Sequence, residues 1–157
     1  MGTGNLEGKS IVVSEQRGYK KLRAWQKADD LACTVFLEMA KPPTKPRWLV
    51  SQVSRAAVSV PANLAEGYGR GSLGDYLRFL DIALGSLAEL EYYLHFMVRT
   101  NLLTPTIGEQ LSALHSQTAG LLVGLSKSLK TKAREGSWDH SRLVREEPSI
   151  YETDLLP

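Results

Sequence analysis

With 157 residues, one cysteine and a formal net charge of +2, the chain suits one domain with tails. That length buries a core without help from a metal, and a lone cysteine excludes an internal disulfide. No stretch reaches the ~18 consecutive apolar residues of a membrane span, and the first ten residues lack the basic-then-apolar order of a secretory signal, so the expected location is the cytoplasm.

Residues 1–18 are rich in Gly, Ser and polar side chains apart from Ile11, Val12 and Val13, and are expected to form a flexible arm. From Leu22 the apolar residues recur at helical steps: Trp25, Ala28, Ala32, Val35, Phe36 and Met39 predict one buried face, with Cys33 buried as a small apolar side chain. Pro42, Pro43 and Pro46 stop this first helix.

The second helix is expected from Pro46, with Leu49, Val53, Ala56, Ala57, Val60 and Leu64 on its apolar face and a local disturbance at Pro61. Gly67, Gly69 and Gly71 are expected to end it, Gly67 as a left-handed cap. Ser72 then caps a third helix, and Asp75 lies in its first turn. Its stripe runs from Leu73 and Tyr76 through Leu80, Ala83, Leu84, Leu87, Leu90, Leu94, Met97 and Val98. After a turn at residues 101–104, Pro105 opens a fourth helix, whose seam is read as Ile107, Leu111, Leu114, Thr118, Leu121 and Leu125, with Gly136 closing it.

Residues 135–157 show no sustained period and are read as an extended or disordered acidic tail, with Trp138, Ile150 and Tyr151 as candidate anchors. The fold class is therefore all-α: an antiparallel up-and-down four-helix bundle over residues 19–134, flanked by the arm and the tail. The charge is uneven. Residues 1–23 hold five bases against two acids, and residues 135–157 two bases against six acids. A basic body with an acidic tail fits nucleic-acid contact regulated by the tail, and equally an ordinary solvated surface.

Little in the sequence suggests catalysis. His95, His115 and His140 have no second histidine and no cysteine three or four residues away, and His95 and His115 are expected to be partly solvated at bundle edges. The glycine-rich residues 67–71 follow a helix and not a strand, which removes a dinucleotide-binding reading. Glu89 and Glu91 lack the histidine three positions on that a di-metal bundle uses. No metal and no cofactor are expected.

One polar stripe stands out. Gln52, Arg55, Ser59, Asn63 and Glu66 fall within roughly an 80° arc of the second helix. The third helix offers Arg78, Ser86 and Glu89, with Asp81 on an adjoining face. Arg55 and Glu66 are three turns apart, so each needs a partner on another helix. Two readings stay open: a charge-paired network that fixes helix register, and a ligand or partner site near Asn63, Glu66 and the glycine turn.

The run of residues 55–67, RAAVSVPANLAEG, resembles the signature of the four-helix-bundle family encoded by intervening sequences of bacterial 23S ribosomal RNA genes. Residues 19–28 are similar to that family's first helix and residues 76–91 to its third, and the likeness covers residues 19–132. It makes Arg55, Ser59, Asn63, Glu66, Asp81 and Glu89 the polar network of the family motif. It implies a ring, a homopentamer, without enzymatic activity. A related group, the accessory proteins of diversity-generating retroelements, forms a pentameric barrel that binds nucleic acid and a reverse transcriptase. Assembly also fits Trp48, Phe79, Tyr92, Tyr93 and Phe96, which fall outside any single apolar face.

The leading expectation is an oligomeric, non-enzymatic accessory protein that contacts structured RNA, or DNA, through phosphate. The expected contacts are Lys20, Lys21, Arg23, Lys127, Lys130, Lys132 and Arg134, at the start of the first helix and the end of the fourth. A protein–protein adaptor ring is the alternative. An enzyme with a site at Arg55, Asn63, Glu66 and Glu89 comes third.

Overall fold

In the computed structural model, which describes residues 18–139, a short 3-10 turn (Gly18–Lys21) leads into α1 (Arg23–Ala40), α2 (Arg47–Gly69), α3 (Leu73–Arg99) and α4 (Pro105–Glu135). No strand occurs among the described residues. Each helix packs antiparallel on the next, and α4 closes the square against α1. Arg55 faces Glu89, Ser59 faces Ser86 and Gly67 faces Tyr76, so residue numbers fall along α2 as they rise along α3. Thr118 of α4 reaches the Lys27 carbonyl of α1. One end of the bundle therefore gathers the start of α1, the end of α2, the start of α3 and the end of α4.

The helix ends follow local chemistry. Ser72 Oγ accepts the Asp75 amide at 3.0 Å, and Thr104 Oγ1 accepts the Ile107 amide at 3.3 Å. Asn101 and Gly136 adopt left-handed φ of 59° and 62°. At each, a six-to-one bond follows, from the Leu102 amide to the Met97 carbonyl and from the Ser137 amide to the Lys132 carbonyl. Between α1 and α2, Lys45 is buried, and its Nζ donates to the carbonyls of Glu38 at 3.2 Å and Lys41 at 3.0 Å. Both carbonyls lie at the end of α1, where the Glu38 carbonyl also accepts the Lys41 amide at 3.3 Å. Pro61 stays within a continuous α2, and its carbonyl accepts Trp25 Nε1 at 3.1 Å.

The core holds Ala28, Leu31, Val35, Leu49, Val53, Leu64, Tyr76, Leu80, Leu90, Met97, Leu122 and Leu129. Several expectations are corrected. Gly67 does not cap α2: the helix runs on to Gly69, and Gly67 is buried. A Cβ at Gly67 would stand 2.8 Å from both Phe79 Cβ and Tyr76 Cδ2, so the glycine serves close approach of α3. Cys33 is exposed, as is Phe36 at 57%, because the buried face of α1 turns to take in Leu31 beside the expected Ala28, Ala32, Val35 and Met39. The buried line of α4 is Leu111, His115, Thr118, Leu122, Leu125 and Leu129, turned from the expected seam so that Leu114 and Leu121 are half-buried. His115 is accordingly buried, not solvated, with Nε2 2.9 Å from the Leu87 carbonyl. The arm up to residue 17, His140 and the tail from residue 140, including Ile150 and Tyr151, lie outside the described residues.

Candidate functional site: a cationic bundle end and a polar seam

The two expected basic clusters meet at one end of the molecule. Lys20 and Lys21 are exposed on the 3-10 turn, held by Gln26 Nε2 donating to the Lys20 carbonyl at 2.8 Å. Arg23 is half-buried at the start of α1. Leu22, Arg23 and Ala24 line a small pocket together with Leu121 and Leu125 of α4. From Leu125 to Glu135 the helix rises another ~15 Å, so Lys127, Lys130, Lys132 and Arg134 continue past the start of α1. Lys127, Lys130 and Arg134 are exposed and Lys132 is half-buried.

Aromatic packing makes this end a defined surface. Ring centroids are 5.1 Å apart for Trp25–Tyr19, 6.4 Å for Tyr19–Tyr68, and 6.2 Å for both Tyr68–Tyr76 and Tyr76–Trp138. This chain of edge-on and tilted pairs joins the 3-10 turn, α1, α2, α3 and the segment after α4. Trp138 is thus an anchor, as expected. Burial lifts the Tyr68 phenol above its ordinary range.

The sequence reading puts Arg78 with the polar residues of the third helix and Phe79 among the unpartnered aromatics and gives Arg70 no role, yet all three meet at this end. The guanidinium carbons of Arg70, at the end of α2, and Arg78, near the start of α3, lie 5.2 and 5.8 Å from the Phe79 ring centroid. Antiparallel helix order was the signal that would have brought Arg70 and Arg78 to the same end as Lys20.

The polar stripe divides into two parts. Arg55 Nη2 donates to Gln52 Oε1 at 2.8 Å and, across to α3, to Glu89 Oε1 at 3.4 Å. Tyr93 OH donates to the same carboxylate oxygen at 3.3 Å. Next along the seam, the Ser59 and Ser86 hydroxyls are 2.9 Å apart, and Asn63 Nδ2 donates to the Ser59 carbonyl at 2.7 Å and to its hydroxyl at 2.9 Å. Ser86 lies in the seam with the residues it was grouped with from sequence, and Tyr93, read there only as an unpartnered aromatic, joins them. Desolvation, then the Glu89 charge and its hydrogen bond, raises the Tyr93 phenol pKa.

Two site expectations change here. Glu66 finds its cation on its own helix, pairing with Arg70 one turn on, and not on another helix. Asp81 is exposed and stands apart from the seam. Among the described residues no cluster of three or more His, Cys, Asp or Glu side chains is arranged to hold a metal. Nor is any helix long and apolar enough to cross a membrane.

The fold matches a crystal structure of a protein with unknown function from the S23 ribosomal protein family of Bacteroides thetaiotaomicron VPI-5482, with a TM-score of 0.62. The match has 23% identity and covers 66% of this chain and 98% of that one, a likeness that speaks for the shared bundle. No curated protein matches the chain. The model of the 23S rRNA-intervening sequence protein family matches residues 20–124, from the 3-10 turn through two-thirds of α4. The chain therefore belongs to the 23S rRNA-intervening sequence protein family.

Proposed function

We propose that this protein is a non-enzymatic, homo-oligomeric accessory protein, a pentameric ring in the reading above, that binds structured RNA or DNA in the cytoplasm through the cationic end of its bundle. The observation that carries this reading is the convergence of exposed Lys20, Lys21, Lys127, Lys130 and Arg134 on one end. Exposed cations at this density neutralise phosphates and release condensed counterions, so binding selects charge and shape before sequence. A reverse transcriptase is one protein partner this reading accommodates.

The most exposed large apolar side chains lie elsewhere. Phe36 and Leu37 stand near the end of α1 and Trp48 at the start of α2, at the opposite end, with Tyr92 on α3 towards it. This separation leaves the aromatic surface for contacts between copies and the cationic end for polynucleotide. The same aromatic surface is what favours the second reading, an adaptor ring that holds another protein.

Titration of the purified chain with a labelled RNA hairpin across a salt series tests the first reading. The logarithm of the binding constant is expected to fall linearly with the logarithm of salt, and Lys127→Gln with Lys130→Gln to make that slope shallower by roughly two contacts. Absence of binding to hairpin RNA and to DNA at low salt removes the nucleic-acid function. A stable complex with a protein, formed without polynucleotide, puts the adaptor in its place.

A further inference from the structure

We propose that Arg70, Arg78 and Phe79 form a stacking site for an unpaired nucleotide, so that the cationic end reads single-stranded or looped segments and not the duplex backbone alone. This inference rests on the nucleic-acid reading above and gives it a ligand class.

The site is a product of the α2–α3 crossing. Gly67 has no side chain, which lets Phe79 and Tyr76 pack directly on the α2 backbone. Phe79 is thereby fixed beside the end of α2, where Arg70 follows the last helical residue. Both guanidinium carbons lie within 6 Å of the ring centroid, at 5.2 and 5.8 Å. Two cations drawn to one aromatic ring hold their planar forks in place before any ligand arrives, which reduces the ordering cost of binding.

The two arginines differ in charge. Arg70 is paired with the Glu66 carboxylate, which orients its fork and offsets its charge. Arg78 is exposed and makes no ion pair among the described residues. Arg78 therefore supplies the net cation for a phosphate. The guanidinium planes and the half-exposed ring supply a stacking surface. Such a surface is of use only to a base that is already unstacked, because duplex bases keep their faces covered. The site shares this end of the bundle with Lys20, Lys21, Lys127 and Lys130.

The test uses the full chain, a fluorescein-labelled oligouridine and a fluorescein-labelled RNA duplex of similar length. Arg78→Lys keeps the charge and removes the planar fork; Phe79→Leu keeps the apolar bulk and removes the ring. Each is expected to weaken oligouridine binding about tenfold while duplex affinity stays within about twofold and the salt slope is unchanged. Arg78 is at the surface, so the lysine variant keeps the fold, and it decides the case if the leucine variant packs poorly. Wild-type affinity of Arg78→Lys for oligouridine, or equal losses on both ligands, overturns the stacking site and leaves the nucleic-acid reading standing. A wild-type chain that binds neither ligand overturns both.

Discussion

Arg55, Glu89 and Tyr93 show how much a prominent motif contributes when its side chains stay in water. The Arg55 and Glu89 side chains are 69% and 40% exposed, and their closest N–O distance is 3.4 Å. Solvent screening holds such a pair to roughly 0.2–1 kcal/mol. Arg55→Met is therefore expected to change the unfolding free energy by less than about 1 kcal/mol in urea denaturation. A loss of several kcal/mol would mean that the pair is buried by a neighbouring copy. Tyr93 gives a pH test. Its folded pKa is raised by desolvation and by Glu89, so the folded state holds the phenolic proton more tightly than the unfolded chain. The resulting stability is present below the unfolded value near 10 and is lost as pH rises from there through the folded value. Denaturation at pH 8, 9.5 and 10.5 should show stability declining at the alkaline end, and declining less steeply in Tyr93→Phe. The decline persists in part, because Tyr68 is raised too and loses its proton in the same direction.

At the scale of helices, Gly67 separates intrinsic preference from packing. Alanine in a helix interior is favoured over glycine by about 1 kcal/mol. Here the added Cβ meets Phe79 Cβ and Tyr76 Cδ2 at 2.8 Å and the Tyr76 carbonyl at 3.4 Å. These atoms are the base of the Phe79 side chain, a ring carbon of fully buried Tyr76 and a backbone carbonyl, which have little room to move. Overpacking costs about 1–3 kcal/mol, so the clash outweighs the propensity gain and Gly67→Ala is expected to lower the melting temperature. A higher melting temperature would show that α3 shifts freely. The same glycine explains what the sequence reveals and what it hides. The ends at Ser72 and Gly136 were legible because each depends on two to four neighbouring residues, whereas Thr104 was read only as part of the turn before Pro105. Gly67 looked like a cap because its real constraint, the approach of another helix, has no local signature. The phase of α4 was ambiguous for a related reason: Leu121 and Leu122 both continue an apolar stripe, and only the facing helices choose Leu122. His115 and Cys33 were misplaced by the same small rotations. In the site, the Arg55–Glu89 link was legible from the polar spacing, whereas the meeting of Arg70 and Arg78 over Phe79 needed the α2–α3 crossing itself.

Across the whole molecule, the most exposed aromatic side chains, Phe36, Trp48 and Tyr92, lie away from the end that holds Lys20, Lys21, Lys127 and Lys130. The Arg55–Glu89 contact marks the register of α2 against α3, which places Trp48 at about the level of Phe96. Phe96 and Tyr92 rings are 6.3 Å apart, so Trp48 and Tyr92, 60% and 61% exposed, belong to one region of the α2–α3 face. Large aromatic side chains at such exposure favour contact with another surface. If copies associate through this region, Trp48→Glu combined with Tyr92→Glu should reduce the mass in solution to that of the 17.3 kDa chain. Helicity should be retained, because neither side chain is part of the buried core. Light scattering that finds the double variant as large as the wild type would move the interface elsewhere, and a wild-type mass of one chain would end the ring proposal. The variants also test whether assembly matters to polynucleotide binding. A ring presents several cationic ends at once, and linked sites bind more tightly than one by a factor set by their effective concentration. The dissociated double variant should therefore lose apparent RNA affinity by about tenfold or more while keeping Lys20, Lys21, Lys127 and Lys130 in place. Unchanged affinity would assign binding to the single bundle.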